Sequence, residues 1–276
     1  MPTVAEKRRE FKRLHESGCF VIPNPWDVGS ALFLQSMGFK ALATTSAGFA
    51  WSRGLGDGGV TRDMALAHIA EISAAVDVPV NADFEGGFAD KPEDVAESVR
   101  LCAVTGVSGL SIEDFTGDRA NPLYDFDLAV ARIKAARAAI DKAGGDVLLT
   151  GRSEGFIRGK PDLEETIRRL KAFADAGADC LYAPGITTRE QIAAVVKAVA
   201  PKAVNVLMGT PSELTVKDIA DLGGRRISVG GSLARSAWGG FIRATKQIMD
   251  AGNFNAFAEA APSGELNKLF SQIKRG

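Results

Sequence analysis

Carboxylate and amide side chains stand together where a short apolar run of this 276-residue chain stops. Residues 79–87 read PVNADFEGG, so the run ends at Asn81, Asp83 and Glu85 and gives way to paired glycines. Carboxylates at the end of a buried strand are costly to desolvate unless a cation or a set of hydrogen-bond donors meets them. The segment therefore predicts a metal-dependent active site.

Similar polar residues follow several other apolar runs of the chain. They are Ser46, Asp57, Glu113, Asp114, Arg152, Glu154 and Asn205. Clustered carboxylates with few histidines suit Mg²⁺, with Mn²⁺ as the alternative, because hard cations prefer oxygen ligands. An arginine among them suits a clamp on a substrate carboxylate or phosphonate. The set as a whole is typical of a site that holds an enolate beside a metal ion.

Some of these residues also have a purely structural interpretation. Asp114 and Glu154 are expected to be outward-facing loop charges. Asp83, Glu113 and Arg152 each end an apolar run, so for these three we favour a functional role.

Other common catalytic systems lack their residues in this chain. His15 and His68 fall in helical segments, so a serine or cysteine nucleophile has no base. No lysine stands at the end of a predicted strand, which argues against a Schiff-base aldolase. Cys19, Cys102 and Cys180 are an odd number without CxxC spacing, so neither a disulfide framework nor a zinc site is expected.

The composition limits partners and compartment. The 33 basic and 34 acidic residues nearly cancel and leave a net charge of −1, so we expect no nucleic-acid partner. The amino-terminal segment lacks the apolar core of a signal peptide, and no apolar run approaches the length of a membrane span. We therefore expect a cytoplasmic protein without a membrane partner.

Short apolar runs alternate with amphipathic stretches along the whole chain. The predicted strands cover residues 19–22, 41–45, 78–82, 109–112, 147–151, 180–183, 204–207 and 227–229. Eight β-then-α units predict a (β/α)₈ TIM barrel, an α/β fold, in a single domain of residues 1–276. An open doubly wound sheet is the alternative, but no GxGxxG motif opens a first βαβ unit.

Helical segments have recognisable boundaries and continue past the eighth unit. Asp27 and Thr188 are expected to cap the amino termini of two helices. Residues 253–276 predict a further helical segment whose apolar side chains would be poorly covered on a lone barrel, which indicates contact between subunits. These side chains are Phe254, Phe257, Leu266, Leu269 and Phe270.

Seven segments in this order resemble the isocitrate lyase and phosphoenolpyruvate mutase superfamily. They are PNPWDVGSA (23–31), TTSAGFAWSRGLGD (44–57), PVNADFEGGF (79–88), GLSIED (109–114), TGRSEGF (150–156), RLKAFADAGADCLYAPGI (169–186) and RRISVGGSLARSAWGG (225–240). The resemblance covers nearly the whole chain. It implies a (β/α)₈ barrel whose eighth helix is swapped between subunits, giving a homodimer or homotetramer.

The resemblance also implies a Mg²⁺ ion held, directly or through water, by the residues that match Asp57, Asp83 and Glu113. Glu85 and Asn81 would lie on the same metal side. The implied chemistry is cleavage or formation of a C–C or P–C bond next to a 2-oxo acid, through a metal-stabilised enolate.

The substrate side follows from the same resemblance. Ser46 and the backbone N–H groups of Ala47 and Gly48 would hold the oxo-acid end. Arg152 would bind a carboxylate or the transferring group. Asn121 and Asn205 complete the expected substrate-binding residues, and Arg152, Glu113 and Ser46 are the expected catalytic residues.

The chain departs from the family pattern at two places. The usual DAD of the third strand is Asn81-Ala82-Asp83 here, so one metal-side carboxylate is missing, while Asp83 and Glu85 form the Asp-x-Glu pattern of mutase-like members. The loop after the fourth strand, residues 115–123, corresponds to the gating loop of the family but lacks the KxCGH motif of isocitrate and methylisocitrate lyases, which argues against isocitrate lyase activity. The lysine and asparagine of the mutase loop align loosely with Arg119 and Asn121.

The leading hypothesis is a Mg²⁺-dependent lyase acting on a small 2-oxo or 2-hydroxy dicarboxylate, by decarboxylation, with oxaloacetate as the candidate, or by retro-aldol cleavage. Decarboxylation needs no acid in the gating loop, because CO₂ leaves without prior deprotonation of an alcohol. One alternative is P–C bond chemistry, as in phosphoenolpyruvate/phosphonopyruvate mutase or phosphonopyruvate hydrolase. The other is a barrel that binds an oxo acid without catalysis.

Overall fold

The computed structural model describes residues 1–273, which form a barrel of eight parallel strands with helices around it. The strands are β1 Phe20–Ile22, β2 Leu42–Ala43, β3 Val80–Asp83, β4 Gly109–Glu113, β5 Leu148–Arg152, β6 Cys180–Tyr182, β7 Ala203–Leu207 and β8 Arg226–Ser228. Each lies within two residues of a strand predicted from the sequence. The predicted (β/α)₈ barrel is confirmed.

The eight strands follow the spatial order β1-β8-β7-β6-β5-β4-β3-β2. The seam between β1 and β2 has no continuous ladder, but the Ala43 N–H donates to the Pro23 carbonyl at 3.1 Å. The Asn24 amide donates to the Thr44 carbonyl, and its Oδ1 accepts from the N–H groups of Val229 and Gly230. One buried asparagine thus connects the first, second and eighth strand ends.

Eleven α-helices and two 3₁₀ segments occur in the described residues. The α-helices are α1 Val4–Glu16, α2 Val28–Ser36, α3 Ser46–Ser52, α4 Arg62–Ala75, α5 Pro92–Ala103, α6 Phe126–Lys142, α7 Leu163–Asp175, α8 Arg189–Val199, α9 Val216–Asp221, α10 Ser232–Ala251 and α11 Ser263–Gln272. The 3₁₀ segments are Gly155–Arg158 and Asn255–Glu259. The predicted caps are confirmed, since Asp27 accepts from the Ser30 N–H and Thr188 from the Gln191 N–H.

The main core lies between the sheet and the surrounding helices. Strand residues that point outward, such as Leu110, Leu149 and Val206, pack on helix residues such as Ile133 and Phe173. This alternation leaves the inward positions of each strand for the barrel interior.

Helix α1 closes the amino-terminal end of the barrel. Phe11 is fully buried in a cluster with Ile22 and Leu148. The Lys7 ammonium donates to the carbonyls of Ser73 and Val76, which fixes the helix against the end of α4. The opposite, carboxyl-terminal end of the barrel is left for a site.

The carboxyl-terminal helices are weakly covered. Only Ala234 of α10 is buried, and Phe241 of the same helix is 59% exposed. Phe254 and Phe257 of the predicted tail are exposed, whereas Phe270 packs on the cluster around α2. Residues 274–276 of that tail lie outside the described residues. No helix within residues 1–273 is both long and apolar enough to cross a membrane.

Candidate active site

Three predicted functional side chains meet at the carboxyl ends of β3, β4 and β5. In the sheet register Glu113 stands beside Arg152, and Asp83 stands beside Ser111 one strand away. The Arg152 Nη1 lies 3.2 Å from Asp83 Oδ1 and 3.2 Å from Glu113 Oε2. These inward positions bring two acids and their arginine together, as parallel strands ending at one edge require.

Asp83 is also bound by the start of α3. The backbone N–H and the hydroxyl of Ser46 both donate to Asp83 Oδ2 at 2.9 Å. Thr45 caps the helix, and its Oγ1 accepts from the Gly48 N–H at 3.2 Å. Ser46 and Ala47 of the predicted oxo-acid site therefore line the same cavity as the predicted metal carboxylate, whereas the predicted Gly48 N–H is taken by the Thr45 cap.

Asp114 and Glu154 are not outward-facing loop charges, and that prediction is wrong. Asp114 is 2% exposed and Glu154 is fully buried. Glu154 accepts from Arg152 and from the Arg158 Nε at 2.9 Å, while Asp114 lies 3.1 Å from the Arg169 Nη1. The two carboxylates are buried because arginines from the following segments reach back and pair with them.

The same cluster holds the gating loop in place. Asp114 also accepts from the backbone N–H of Glu154 at 2.8 Å, and Arg169 donates to the Tyr124 carbonyl at 2.9 Å. The Arg158 guanidinium covers the Phe115 ring at 3.7 Å. Both ends of the loop after β4 are therefore fixed to buried charges.

The cleft carries excess negative charge. Burial, followed by the charge of Asp83, raises the pKa of Glu85 to about 7, and the same two causes raise the pKa of Asp57. Burial raises the pKa of Glu113 well above its ordinary value, although Arg152 opposes the shift. A divalent cation would relieve this repulsion among Asp57, Asp83, Glu85 and Glu113.

The possible metal ligands of the cleft are carboxylate oxygens, which suit a hard cation such as Mg²⁺. Within residues 1–273, no three His, Cys, Asp or Glu side chains are grouped so that they could hold a metal ion directly. Mg²⁺ keeps several waters and is often bound through one or two carboxylates plus substrate oxygens. Asp57 and Asp83, which line one cavity, could hold such a hydrated ion.

Two adjoining cavities form the cleft. The first, of about 160 Å³, is lined by Asp83, Ser46, Ala47, Arg152 and the previously unpredicted Tyr182, among others. The second has about 440 Å³, and Asp57 lines both. The second is lined also by Glu85, Glu113, Arg119 and Arg158. Tyr182 is the last residue of β6 and shares the inward side of the strand with Cys180. This position was the signal in the sequence that could have identified it as a site residue.

The three predicted asparagines lie in different places. Asn81 and Asn205 face the barrel interior below the acidic cluster, where each Oδ1 accepts from Arg226, at 3.3 Å and 2.9 Å. Asn121 donates to Asp118 at 3.3 Å and lines a third cavity of about 910 Å³, whose lining does not include Asp83, Glu113 or Arg152. The structure thus brings Asn81 and Asn205 under the site, but not Asn121 into it.

Known proteins resemble this chain over most of its length. A family model described as phosphoenolpyruvate phosphomutase matches residues 11–249. A crystal structure provisionally described as a lyase/mutase of Burkholderia cenocepacia J2315 is 46% identical, covers 99% of both chains and has a TM-score of 0.95. The oxaloacetate decarboxylase of Paraburkholderia xenovorans strain LB400 is 30% identical over 80% of this chain and 74% of its own.

A second similar solved structure belongs to a described superfamily. It is 2,3-dimethylmalate lyase, described as a PEP mutase/isocitrate lyase superfamily member, with 29% identity, a TM-score of 0.83 and coverage of 98% of this chain and 95% of its own. The family model spans far more than half of the chain, and the barrel agrees with it. The chain therefore belongs to the isocitrate lyase and phosphoenolpyruvate mutase superfamily of lyases and mutases.

Proposed function

We propose that this protein is a Mg²⁺-dependent lyase of small 2-oxo or 2-hydroxy dicarboxylates, with the decarboxylation of oxaloacetate as the first candidate reaction. The observation that carries the proposal is the meeting of Asp83, Glu113 and Arg152 beside a cavity of about 160 Å³. Together with the adjoining cavity of about 440 Å³, this space suits a small dicarboxylate.

Each residue has a role that its position supports. Asp83 and Asp57 would hold the hydrated Mg²⁺, while the Ala47 backbone N–H, joined by the Ser46 donors that bind Asp83 in this structure, would orient the carboxylate next to the 2-oxo group. When bound, Mg²⁺ polarises the 2-oxo group and stabilises negative charge that develops on it. The bond from C3 to the departing carboxylate breaks, its electron pair enters the enolate, and protonation at C3 from water gives pyruvate.

Arg152 is placed to position the carboxylate that leaves as CO₂. Its guanidinium is already paired with Asp83, Glu113 and Glu154, so its charge is largely neutralised. A neutralised cation can position a carboxylate without binding it strongly. Such loose positioning favours loss of the carboxylate as CO₂, because a strong ion pair would stabilise the ground state more than the transition state.

The gating loop also favours decarboxylation. Residues 115–123 contain no cysteine or histidine, and the loop is closed on itself where the Thr116 N–H donates to the Pro122 carbonyl at 3.0 Å. A retro-aldol cleavage would need a base for the 2-hydroxyl group, whereas decarboxylation needs none. A decarboxylase of oxaloacetate among the relatives supports the same choice.

The test is pyruvate release from a panel of 2-oxo and 2-hydroxy dicarboxylates, with and without Mg²⁺. We expect Mg²⁺-dependent turnover, its loss in Asp83→Ala, and its retention in the control Asp63→Ala, whose side chain is 88% exposed on α4. No turnover of any panel member would refute the proposal. Oxalate binding without turnover would instead indicate a binding barrel without catalysis.

P–C bond chemistry is the second candidate. The matching family model is that of a phosphomutase, and Arg119 of the gating loop lines the cavity that also holds Glu85 and Glu113. Conversion of phosphonopyruvate, followed by its ³¹P resonance, would establish this activity. An unchanged C–P resonance after long incubation would exclude it.

A further inference from the structure

The Arg226 guanidinium is buried in the barrel interior and has only neutral hydrogen-bond partners. The residue is 3% exposed and projects inward from the start of β8. Its Nε donates to Asn205 Oδ1 at 2.9 Å and its Nη2 to Thr150 Oγ1 at 3.1 Å. Its Nη1 lies 3.3 Å from Asn81 Oδ1 and 3.5 Å from His15 Nε2.

His15 does not supply a counter-charge. Its Nδ1 lies 2.7 Å from the Phe11 carbonyl and must donate to it, so Nε2 is left as the acceptor that faces Arg226. Burial, and next the Arg226 charge, lower the pKa of His15 to about 3. The imidazole is therefore neutral at physiological pH.

Two other arginines of the site, Arg152 and Arg169, are paired with carboxylates, whereas the buried Arg132 donates to backbone carbonyls. Arg152 pairs with Asp83, Glu113 and Glu154, and Arg169 pairs with Asp114 and Glu165. No carboxylate of residues 1–273 forms an ion pair with Arg226. A buried charge without an opposite charge is costly, and neutral acceptors offset only part of that cost.

Arg226 borders the same 160 Å³ cavity as Asp83, Ser46 and Arg152. Within the described residues its Nη2 donates only to Thr150, so the second N–H of Nη2 has no protein acceptor there. The unpaired positive charge therefore lies at the floor of the cavity. In a low-dielectric site it attracts an anion more strongly than it would in water.

Arg226 also orients a second donor. Because Asn205 Oδ1 accepts from Arg226, its amide must turn toward Ser228, where it donates to Oγ at 2.9 Å. Ser228 Oγ accepts this bond and has its own proton to donate, either to the neighbouring Tyr182 oxygen or to a ligand of the cavity. Ser228 lines the cavity together with Arg226, so two donors meet at the floor.

We infer that Arg226, with the Ser228 hydroxyl, is the anion-binding floor of the cavity and binds from below the same retained carboxylate that Ser46 and the Ala47 backbone orient from the cavity wall. The inference rests on the proposed function only in that the cavity takes a 2-oxo acid. Arg226 faces the retained carboxylate, since its charge is unshared, while the neutralised Arg152 is left for the departing group.

The test is the affinity for oxalate, an enolpyruvate mimic that needs no turnover, measured by titration calorimetry in Mg²⁺. Because Arg226→Met removes a charge-assisted hydrogen bond to a buried carboxylate, its oxalate affinity should be about tenfold lower or more. Arg226→Lys keeps the charge, so its oxalate affinity should lie between those of the wild type and Arg226→Met. The control is Arg225→Met, since Arg225 points away from the interior and donates to the Gly18 carbonyl.

A second variant tests the charge with little change in side-chain size. Asn205→Asp would place a carboxylate beside Arg226 and neutralise its charge, so oxalate affinity should fall as it does in Arg226→Met. If Arg226→Met does not fold, this variant decides the test. Affinity for Mg²⁺ alone should stay unchanged in all variants. Equal losses of Mg²⁺ and oxalate affinity would indicate a general disturbance of the cavity and would overturn the inference.

The outcomes separate the inference from the proposed reaction. Unchanged oxalate affinity in both Arg226→Met and Asn205→Asp overturns the inference and leaves the lyase proposal intact. Failure of the wild-type protein to bind oxalate in Mg²⁺ overturns both. Arg226-dependent oxalate binding without turnover of any dicarboxylate supports the inference and refutes only the proposed reaction.

Discussion

Glu85 has a left-handed backbone, with φ at 47°, although it is not a glycine. Such a conformation costs free energy and persists only where the surroundings enforce it. Here the Glu85 carbonyl accepts from the Glu113 N–H at 3.1 Å, and Arg132 donates to the Gly86 carbonyl next to it. The strain places a carboxylate in the acidic cleft rather than in solvent.

The raised pKa of Glu85 predicts how stability depends on pH. The folded carboxyl has a pKa of about 7 against an ordinary value of 4.5, so the folded state binds the proton more tightly than the unfolded state. Its contribution to stability is therefore full below pH 4.5 and is lost as the pH rises through 7. The metal-free protein should show an unfolding midpoint that falls over this range.

Mg²⁺ should oppose that trend, because it competes with the proton for the same carboxylates and binds more tightly as the pH rises. Thermal unfolding at several pH values, with and without Mg²⁺, measures both effects. Glu85→Gln cannot titrate, so its metal-free slope should be shallower than that of the wild type. An identical slope in this variant would assign the titration to other groups, such as Glu113.

Substitution of Asp114 tests how much the buried ion pair between Asp114 and Arg169 contributes to stability. In Asp114→Ala the Arg169 guanidinium, whose side chain is 8% exposed, loses a buried partner. We expect a loss of about 3 kcal/mol in the free energy of unfolding, since the buried Arg169 charge keeps only the partly exposed Glu165 as an acidic partner. Urea denaturation measures it. Asp175→Ala, at the exposed last residue of α7, serves as control and should change stability by less than about 0.5 kcal/mol.

At the level of elements, the strands were predictable because their signal is local. Each strand is a short apolar run, and its inward positions follow from the two-residue period, which places Asp83, Glu113 and Arg152 at one edge from the sequence alone. No repeating pattern in the sequence indicates which residue a long arginine side chain will pair with. Arg158 and Arg169 reach back from later segments, so the burial of Asp114 and Glu154 could not be read from the sequence.

Arg226 escaped prediction for a related reason. It opens β8 at an inward position, but the sequence around it shows only a basic pair at the start of an apolar run. What makes it a candidate is the neutrality of Asn205, Asn81 and Thr150 around it, and these lie on three other strands. Only the closed barrel brings them together.

Helix α3 offers a prediction at the element scale. A Cβ on Gly48 would lie 2.7 Å from Thr45 Cγ2, 3.0 Å from Trp26 Cβ and 3.2 Å from Ala234 Cβ. The first distance is shorter than real contacts allow, and the residue is buried, so Gly48→Ala should destabilise the protein by about 1 to 3 kcal/mol. The same shift should displace the Ser46 end of the helix from Asp83 and weaken oxalate binding.

The matched control for α3 is Gly56→Ala in the following loop, where an added Cβ meets no atom within 4 Å. Its unfolding midpoint and oxalate affinity should equal those of the wild type. If Gly48→Ala also left both unchanged, the close packing of α3 against α10 would not matter for the site.

For the whole molecule, the distribution of apolar surface matters most. Trp238, Phe241 and Ile242 recur at helical spacing on α10 and are 41%, 59% and 46% exposed, and Phe254 and Phe257 extend the same poorly covered region. Scattered apolar residues are normal on a monomer, but a contiguous aromatic patch marks a contact surface. The patch begins at the end of the barrel that carries the site, since α10 directly follows β8.

We predict that the protein is a homodimer or homotetramer in solution and that α10 lies in the interface, as an exchanged eighth helix would. Light scattering after size-exclusion chromatography measures the mass. The double variant Trp238→Glu/Phe241→Glu should reduce the assembly, because buried charges without partners oppose association. Val104→Glu, an apolar-to-acidic change at a 72% exposed position after α5, should leave the mass unchanged. A wild-type mass of one chain would refute the prediction, and an unchanged mass in the double variant would move the interface away from α10.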